Sequence, residues 1–102
     1  PLDGVYAVIC QIKDAHFKGI MNIGYKPTVD KGQIRTIAIH LFNYEKDIYG
    51  VNLTAKVIER IRDEVKFNSL EALKSQILKD NVKAKQILES FWLNYNLLVL
   101  HL

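Results

Sequence analysis

The sequence predicts a β-barrel or a curled β-sheet with one carboxyl-terminal helix packed outside it. The chain has 102 residues, of which 49% are apolar and 25% are charged, a balance typical of one soluble globular domain. Alternating, β-branched stretches fill the first two-thirds, and the last third changes to spacings of three and four residues. Strands followed by a single terminal helix favour a closed or curled sheet that the helix covers.

The first two strands are predicted over 4–13 and 17–25, because β-branched residues recur there in alternation. A tight reversal at 14–16 joins them. In the second strand Gly19 and Gly24 leave room for a bulge or for the close approach of another backbone. The two segments therefore predict a hairpin.

The next two strands are predicted over 34–42 and 51–61, separated by a loop at 43–50. Pro27 ends the preceding strand, because proline removes a hydrogen-bond donor from the ladder. The third strand alternates, and its more polar face carries Thr36, Ala38 and His40. A charged loop at 62–67 then leads to the helix.

The helix is predicted over 68–90, with Asn68 as its cap and Glu71 completing a capping box. Apolar residues at helical spacing predict a core stripe of Leu70, Leu73, Ile77, Ala84, Ile87, Leu88 and Phe91. Residues 91–102 form an apolar tail. One interpretation is that this tail simply prolongs the helix, and three roles stay open for its apolar surface: packing onto the barrel, covering an exposed edge, or self-association.

Composition excludes several classes of function. The net charge of +3 is too small and too evenly spread to favour nucleic-acid binding. Cys10 is the only cysteine, so we expect no intrachain disulfide, a buried inert thiol and a cytoplasmic location. His16, His40 and His101 lack the spacing of metal ligands, and His40 is expected to be structural. Residues 91–102 are too short to cross a bilayer, so no membrane role is expected.

Five short segments are more particular than propensity requires. In this order and spacing they resemble the riboflavin kinase family, most closely the kinase domain of bacterial bifunctional riboflavin kinase/FAD synthetases. The resemblance runs from about Gly4 to Leu88, and its segments are 4–8 (GVYAV), 22–28 (NIGYKPT), 35–40 (RTIAIH), 47–50 (DIYG) and 61–70 (IRDEVKFNSL).

The resemblance implies an all-β fold, a six-stranded antiparallel Greek-key barrel with a carboxyl-terminal helix, occupying 1–102 as one domain. Residues 1–67 would give the barrel strands and a flavin loop. The implied reaction transfers the γ-phosphoryl group of ATP to riboflavin with Mg²⁺ present, giving FMN and ADP, and it depends mostly on alignment and charge stabilisation. The intact protein would also make FAD through a separate domain.

The resemblance also implies the site residues. ATP would lie against Leu41, Asn43 and Tyr49, where Asn43 stands in place of the aspartate usual in bacterial members. The flavin would be covered by the loop before the helix, through Arg62, Glu64, Val65 and Phe67, with aromatic and aliphatic contacts to the ring and donors from Arg62. The plain alternatives are an exposed Arg62–Glu64 pair, a helix-staple Phe67 and a simple turn at Tyr49.

Two departures from the family pattern bear on activity. The family's general base is a glutamate on the third strand, and Ala38 stands at that position, so no catalytic residue is retained there. Losing a general base costs about 3 to 5 kcal/mol of barrier. The second departure is a missing segment. In the family, the segment matching Gly4 is preceded by a first strand, a glycine-rich flap and a metal-binding Gly-x-Pro-Thr-Ala-Asn motif, and none of these is in this sequence. We therefore expect a fragment whose magnesium ligands lie elsewhere and whose barrel has an open edge, which favours self-association.

Three hypotheses follow. The chain is most of a riboflavin kinase domain acting on riboflavin and ATP; or it is an impaired flavin or nucleotide binder, because Ala38 replaces the glutamate. A third class, a small barrel that binds single-stranded nucleic acid, is disfavoured by weak charge and scattered aromatic residues.

Overall fold

The computed structural model describes residues 3–27, 32–44, 50 and 52–101, apart from the side chains of 26, 27, 33, 34 and 94–101. Four strands precede one helix: β1 (Gly4–Ile12), β2 (Ala15–Pro27), β3 (Gln33–Leu41), β4 (Thr54–Arg62) and α1 (Leu70–His101). The described strands form one antiparallel sheet in the order β3-β2-β1-β4. The predicted β-rich fold with a terminal helix is confirmed at this level.

The hairpin turn between β1 and β2 is tighter than predicted. Ile12 pairs with Ala15, so Lys13 and Asp14 alone make the turn, and Lys13 adopts a φ of 54°. The predicted reversal at 14–16 was therefore misplaced, because Ala15 and His16 already belong to the ladder. The two-residue loop fixes the register of the whole hairpin.

Both faces of β1 are buried. Ala7 and Ile9 belong to a cluster with Ala84 and Leu88 of α1, and we call this side of the sheet the helix face. Val8, Cys10 and Ile12 point the other way, into a second cluster with Met21, Ile23 and Leu41. A strand buried on both sides needs apolar residues at consecutive positions, which explains its nearly unbroken apolar run.

Two irregularities in β4 aim side chains at the helix. The β1–β4 register skips Ile61 between Val5 and Tyr6, and skips Ile58 between Ala7 and Val8. Extra residues of this kind rotate a strand locally. Both isoleucines pack against the cluster on the helix face.

Gly19 is required by the close approach of another backbone, one of the two possibilities that its position in the strand predicts. A Cβ built on Gly19 would lie 2.5 Å from the backbone oxygen of His40 on β3. At Gly24 the close neighbour is a side chain instead, since the same construction places Cβ 2.6 Å from Oε2 of Glu64. Gly24 therefore makes room for a residue of the loop between β4 and α1.

The helix begins one residue later than predicted. Ser69 Oγ accepts a hydrogen bond of 3.0 Å from the Ala72 amide, and the Leu73 amide donates to the Ser69 carbonyl. Ser69 is thus the N-cap, and the predicted cap at Asn68 with a capping box to Glu71 was wrong, since a capping side chain bonds the amide two or three residues on.

The helix continues to His101, so its predicted end at residue 90 was wrong and the interpretation that the tail prolongs the helix is confirmed. Phe91 packs against the cluster on the helix face. Among the described residues, no helix combines the length and apolar content needed to cross a bilayer.

The predicted core stripe of α1 is only half correct. Ala84 and Leu88 are fully buried, whereas Leu70, Leu73 and Ile77 are 65%, 36% and 45% exposed. The second half of the helix lies on the sheet, and the first half borders an open space above it. We call that space the main cleft.

Candidate functional site

The main cleft has a volume of about 460 Å³ and three walls, and its size is within the range of small-molecule sites. Its floor is the helix face of the sheet, one side is the loop between β4 and α1, and the other side is the first half of α1. The lining residues are Val5, Ile20, Asn22, Ala38, Ile39 and His40 from the sheet; Arg62, Glu64, Val65 and Phe67 from the end of β4 and the loop; and Leu73, Ile77, Asp80 and Asn81 from the helix.

The floor follows from strand register. Asn22 of β2 pairs with Val5 on one side and Ala38 on the other, and Ile20 pairs with His40. Directly paired residues project from the same face of a sheet. The centre of the floor therefore carries the Asn22 amide between the side chains of Val5 and Ala38, and the His40 imidazole lies one residue pair along the ladder.

Arg62 joins the loop to the helix. Its Nε and Nη2 donate to the two carboxylate oxygens of Asp80 at 2.9 and 2.8 Å, and Gln76 Nε2 donates to Asp80 at 3.0 Å. Asp80 is only 5% exposed, so its charge is compensated by a two-pronged guanidinium contact. The pair holds the end of β4 against the middle of α1.

The same guanidinium organises the loop. Arg62 Nη1 donates to the Asp63 carbonyl at 3.0 Å, and the Arg62 Cζ lies 5.6 Å from the centre of the Phe67 ring. A cation over an aromatic face is attracted by the ring electrons. Phe67 is thereby held as one wall of the cleft, so Arg62 acts on the site largely through its neighbours.

All four residues predicted to bind the flavin line this cleft: Arg62, Glu64, Val65 and Phe67. Ala38, the position of the family's glutamate, lies on the floor. His40, expected to be structural, lines the cleft as well, and its ring contacts Phe42 edge-on at 5.7 Å.

The predicted ATP-binding residues are not in the main cleft. Leu41 is buried in the cluster on the opposite face of the sheet. Asn43 is exposed with a φ of 59°, and it lines a second cleft that also contains His16, Lys18 and Lys85. Tyr49 lies outside the described residues.

Sequence reasoning missed the helix side of the cleft, where Leu73, Ile77, Asp80 and Asn81 lie. A signal was present. The apolar stripe runs through Leu73 and Ile77, is interrupted by Asp80 and Asn81, and resumes at Ala84. Polar residues at the inward positions of an amphipathic helix indicate a polar partner or an unfilled space.

Cys10 has the properties expected of a structural thiol. Its side chain is fully buried, and burial raises its pKa. The thiol therefore stays protonated and unreactive at neutral pH. In the part of the chain that the structure describes, no three His, Cys, Asp or Glu side chains are grouped to hold a metal ion.

Comparison with known families decides the family. The family model described as "Flavokinase: Riboflavin kinase" matches residues 1–88. The chain belongs to the riboflavin kinase family. It is 42% identical over 78 residues to an RNA-binding riboflavin kinase, RibR, of Bacillus subtilis (strain 168), covering 76% of this chain and 34% of the relative.

Bifunctional members of the family are similar over more of the chain. A bifunctional riboflavin kinase/FMN adenylyltransferase of Haemophilus influenzae is 38% identical over 91 residues, covering 88% of this chain and 29% of the relative. The corresponding Escherichia coli (strain K12) protein is 36% identical, with 84% and 28% covered. The chain thus spans about a third or less of the length of these relatives.

A solved structure supports the fold. A crystal structure titled as a macrolide-efflux protein from Streptococcus pneumoniae matches with a TM-score of 0.75 and 29% identity, covering 83% of this chain and 28% of the other. A fold similar to the one described above thus occurs in an experimental structure.

Proposed function

We propose that this chain is part of a riboflavin kinase domain and that its main cleft binds the flavin. The domain transfers the γ-phosphoryl group of ATP to riboflavin, giving FMN and ADP. One observation carries the proposal: Arg62 at the end of β4, three residues of the following loop and two helix residues, Leu73 and Ile77, converge on one largely apolar cleft. Such a cleft suits a flat aromatic ring system.

The loop supplies the contacts that a flavin ring needs. Val65 is about half exposed, and the Phe67 ring is held by Arg62, so both present apolar surface that bound flavin would cover. Three donor groups of Arg62 are occupied by Asp80 and Asp63. We therefore propose that Arg62 contributes mainly by positioning Phe67 and uses its remaining donors toward the ligand.

The second cleft is the candidate for the ATP side of the site. Asn43 lines the second cleft beside Lys18 and Lys85, and ammonium groups of this kind compensate phosphate charge. We propose that ATP approaches from this side, with Leu41 shaping the interior and Tyr49 as a further contact. The ligands of the Mg²⁺ that accompanies ATP remain a prediction for a segment preceding Gly4.

The finer fold is also a proposal. The complete barrel would have six antiparallel strands with Greek-key connections, closing at β3 and β4, which are the edges of the described sheet.

By similarity to bifunctional relatives, the full protein would also adenylylate FMN. Self-association through an open edge or through the end of α1 remains a prediction, as does the absence of nucleic-acid binding, which titration with an oligonucleotide at low salt tests.

The alternative function is flavin binding without turnover. It is favoured by Ala38, because the floor of the cleft carries a methyl group where the family's glutamate would stand. Chromatographic detection of FMN after incubation with riboflavin and MgATP separates the two. FMN formation supports the kinase, riboflavin binding without FMN supports the alternative, and the absence of riboflavin binding contradicts both.

A matched pair of helix variants tests the placement of the flavin. Ile77→Ala removes apolar surface from the cleft wall, and we expect riboflavin affinity to fall by about 1 to 2 kcal/mol, roughly five- to thirtyfold. Leu78→Ala alters the adjacent residue, which is exposed and does not line the cleft, and should leave affinity unchanged. Titration of riboflavin fluorescence measures both, and equal affinities for the two variants would contradict the placement.

A further inference from the structure

Transfer of a phosphoryl group to a hydroxyl requires an acceptor for the hydroxyl proton. The floor residue Ala38 has none to offer. Among the described residues that line the cleft, the proton acceptors are the carboxylates of Glu64 and Asp80 and the imidazole of His40. The His40 ring packs edge-on against Phe42, with 5.7 Å between the ring centres. Both oxygens of Asp80 already accept hydrogen bonds from Arg62, and one also accepts from Gln76. Asp80 is therefore committed to holding the loop on the helix.

Glu64 is differently placed. The structure gives it no hydrogen bond or ion pair with another described residue, and its side chain is exposed. Its carboxylate lies over Gly24 of β2, where a Cβ would come within 2.6 Å of Oε2 and 3.1 Å of Cδ. The carboxylate thus reaches from the loop down to the floor and uses the space that the glycine leaves.

Strand register relates this carboxylate to the position of Ala38. Gly24 pairs with Thr36, and Asn22, two residues earlier in β2, pairs with Ala38. Residues two apart share one face of a strand and lie about 6.6 Å from each other. Glu64 therefore brings its carboxylate to the same face as Ala38, one residue pair along the ladder.

We propose that Glu64 is the general base of this chain, supplying from the loop the carboxylate that the third strand lacks. The inference rests on the proposed function. As the ribityl 5′-oxygen forms its bond to the γ-phosphorus of ATP, the bond from that phosphorus to the β,γ-bridging oxygen breaks and ADP leaves. Glu64 takes the hydroxyl proton and later releases it to water, so the products are FMN, ADP and one proton.

Glu64→Gln in the full-length protein is the direct test, with Glu71→Gln, an exposed glutamate of the first helical turn, as the matched control. We expect kcat to fall by about 10² to 10⁴ in Glu64→Gln, with little change in riboflavin affinity and no change in the control. The decline of kcat at low pH, which reports protonation of the base, should also disappear, and a purely structural role would not produce that loss.

A second variant, Gly24→Ala, tests the role of the Glu64 carboxylate by displacing it. The added methyl displaces a flexible side-chain end and leaves the backbone in place, so folding should be little affected while kcat falls. In the Glu64→Gln background the same substitution should have no further effect on kcat, because the displaced group no longer accepts a proton.

The possible outcomes distinguish a failure of the role proposed for Glu64 from a failure of the proposed riboflavin kinase function. Unchanged kcat in Glu64→Gln overturns the role of Glu64 and leaves the kinase assignment standing. Riboflavin binding without any FMN from the unsubstituted protein overturns Glu64 as a working base and favours the binding alternative. Failure to bind riboflavin at all overturns the proposed function itself.

Discussion

Asp80→Asn lowers the free energy of unfolding by about 3 kcal/mol, the lower end of the cost of breaking a buried ion pair. Asp80 is 6% exposed and its partner Arg62 is 20% exposed at the side chain. Removing the carboxylate charge leaves the guanidinium partly desolvated without compensation. Because Arg62 also holds Phe67 and the loop, riboflavin affinity should fall in the same variant. Urea denaturation and a riboflavin titration measure the two effects.

Asp63→Asn is the control for this prediction. Asp63 pairs with Arg60 at 2.6 Å, but its side chain is 82% exposed, and exposed pairs contribute only about 0 to 1 kcal/mol. If the two variants lose the same stability, the buried pair does not anchor the loop as described.

Leu88→Ala lowers the free energy of unfolding by about 2 to 5 kcal/mol. Leu88 is fully buried where α1 meets β1, in contact with the cluster of Ala7, Ile9 and Phe42. Its truncation leaves a cavity at the main contact between helix and sheet, and a close-packed interior relaxes only partly around such a cavity.

Leu78→Ala provides the comparison. Leu78 is on the same helix but is 67% exposed, so its truncation should change stability by no more than about 0.5 kcal/mol. Thermal or urea unfolding of the two variants gives the difference directly. A large loss of stability in Leu78→Ala, or a small one in Leu88→Ala, would contradict the described packing, in which the face of α1 that carries Leu88 contacts the sheet.

The strands and the helix were largely predictable, because apolar residues recur every two positions in a strand and every three or four positions in a helix. The alternation in β3 placed Ala38 and His40 on one face, and both line the cleft. Element ends were less predictable. The turn at Lys13 and the cap at Ser69 depend on single hydrogen bonds and backbone angles, and several residue types near each end could have supplied them.

The cleft itself could not be derived from the period of α1. An apolar stripe shows which side of a helix turns inward and says nothing of how far away the opposing surface lies. Leu73 and Leu88 belong to one stripe, yet Leu88 is fully buried and Leu73 is 36% exposed, because Leu73 borders the cleft that the loop at 63–67 and the sheet floor leave beside the first half of the helix.

The loop residues of the site came from the resemblance, and their arrangement came from the structure. Arg62 and Asp80 are 18 positions apart, and neither residue indicates its partner in the sequence. The contact of Glu64 with Gly24 likewise joins a loop to a strand that is distant in the chain. Such pairings depend on the tertiary fold.

The most direct measurement of the central claim is a map of backbone amide shifts while riboflavin is added to the chain. The ring current of the bound flavin should move the resonances of Val65, Phe67, Leu73 and Ile77 in a saturable way, with Asn43 and the exposed Leu93 unaffected. Two results would contradict the assignment of this cleft to the flavin: saturable shifts confined to other parts of the molecule, or no shifts even when the solution is saturated with riboflavin.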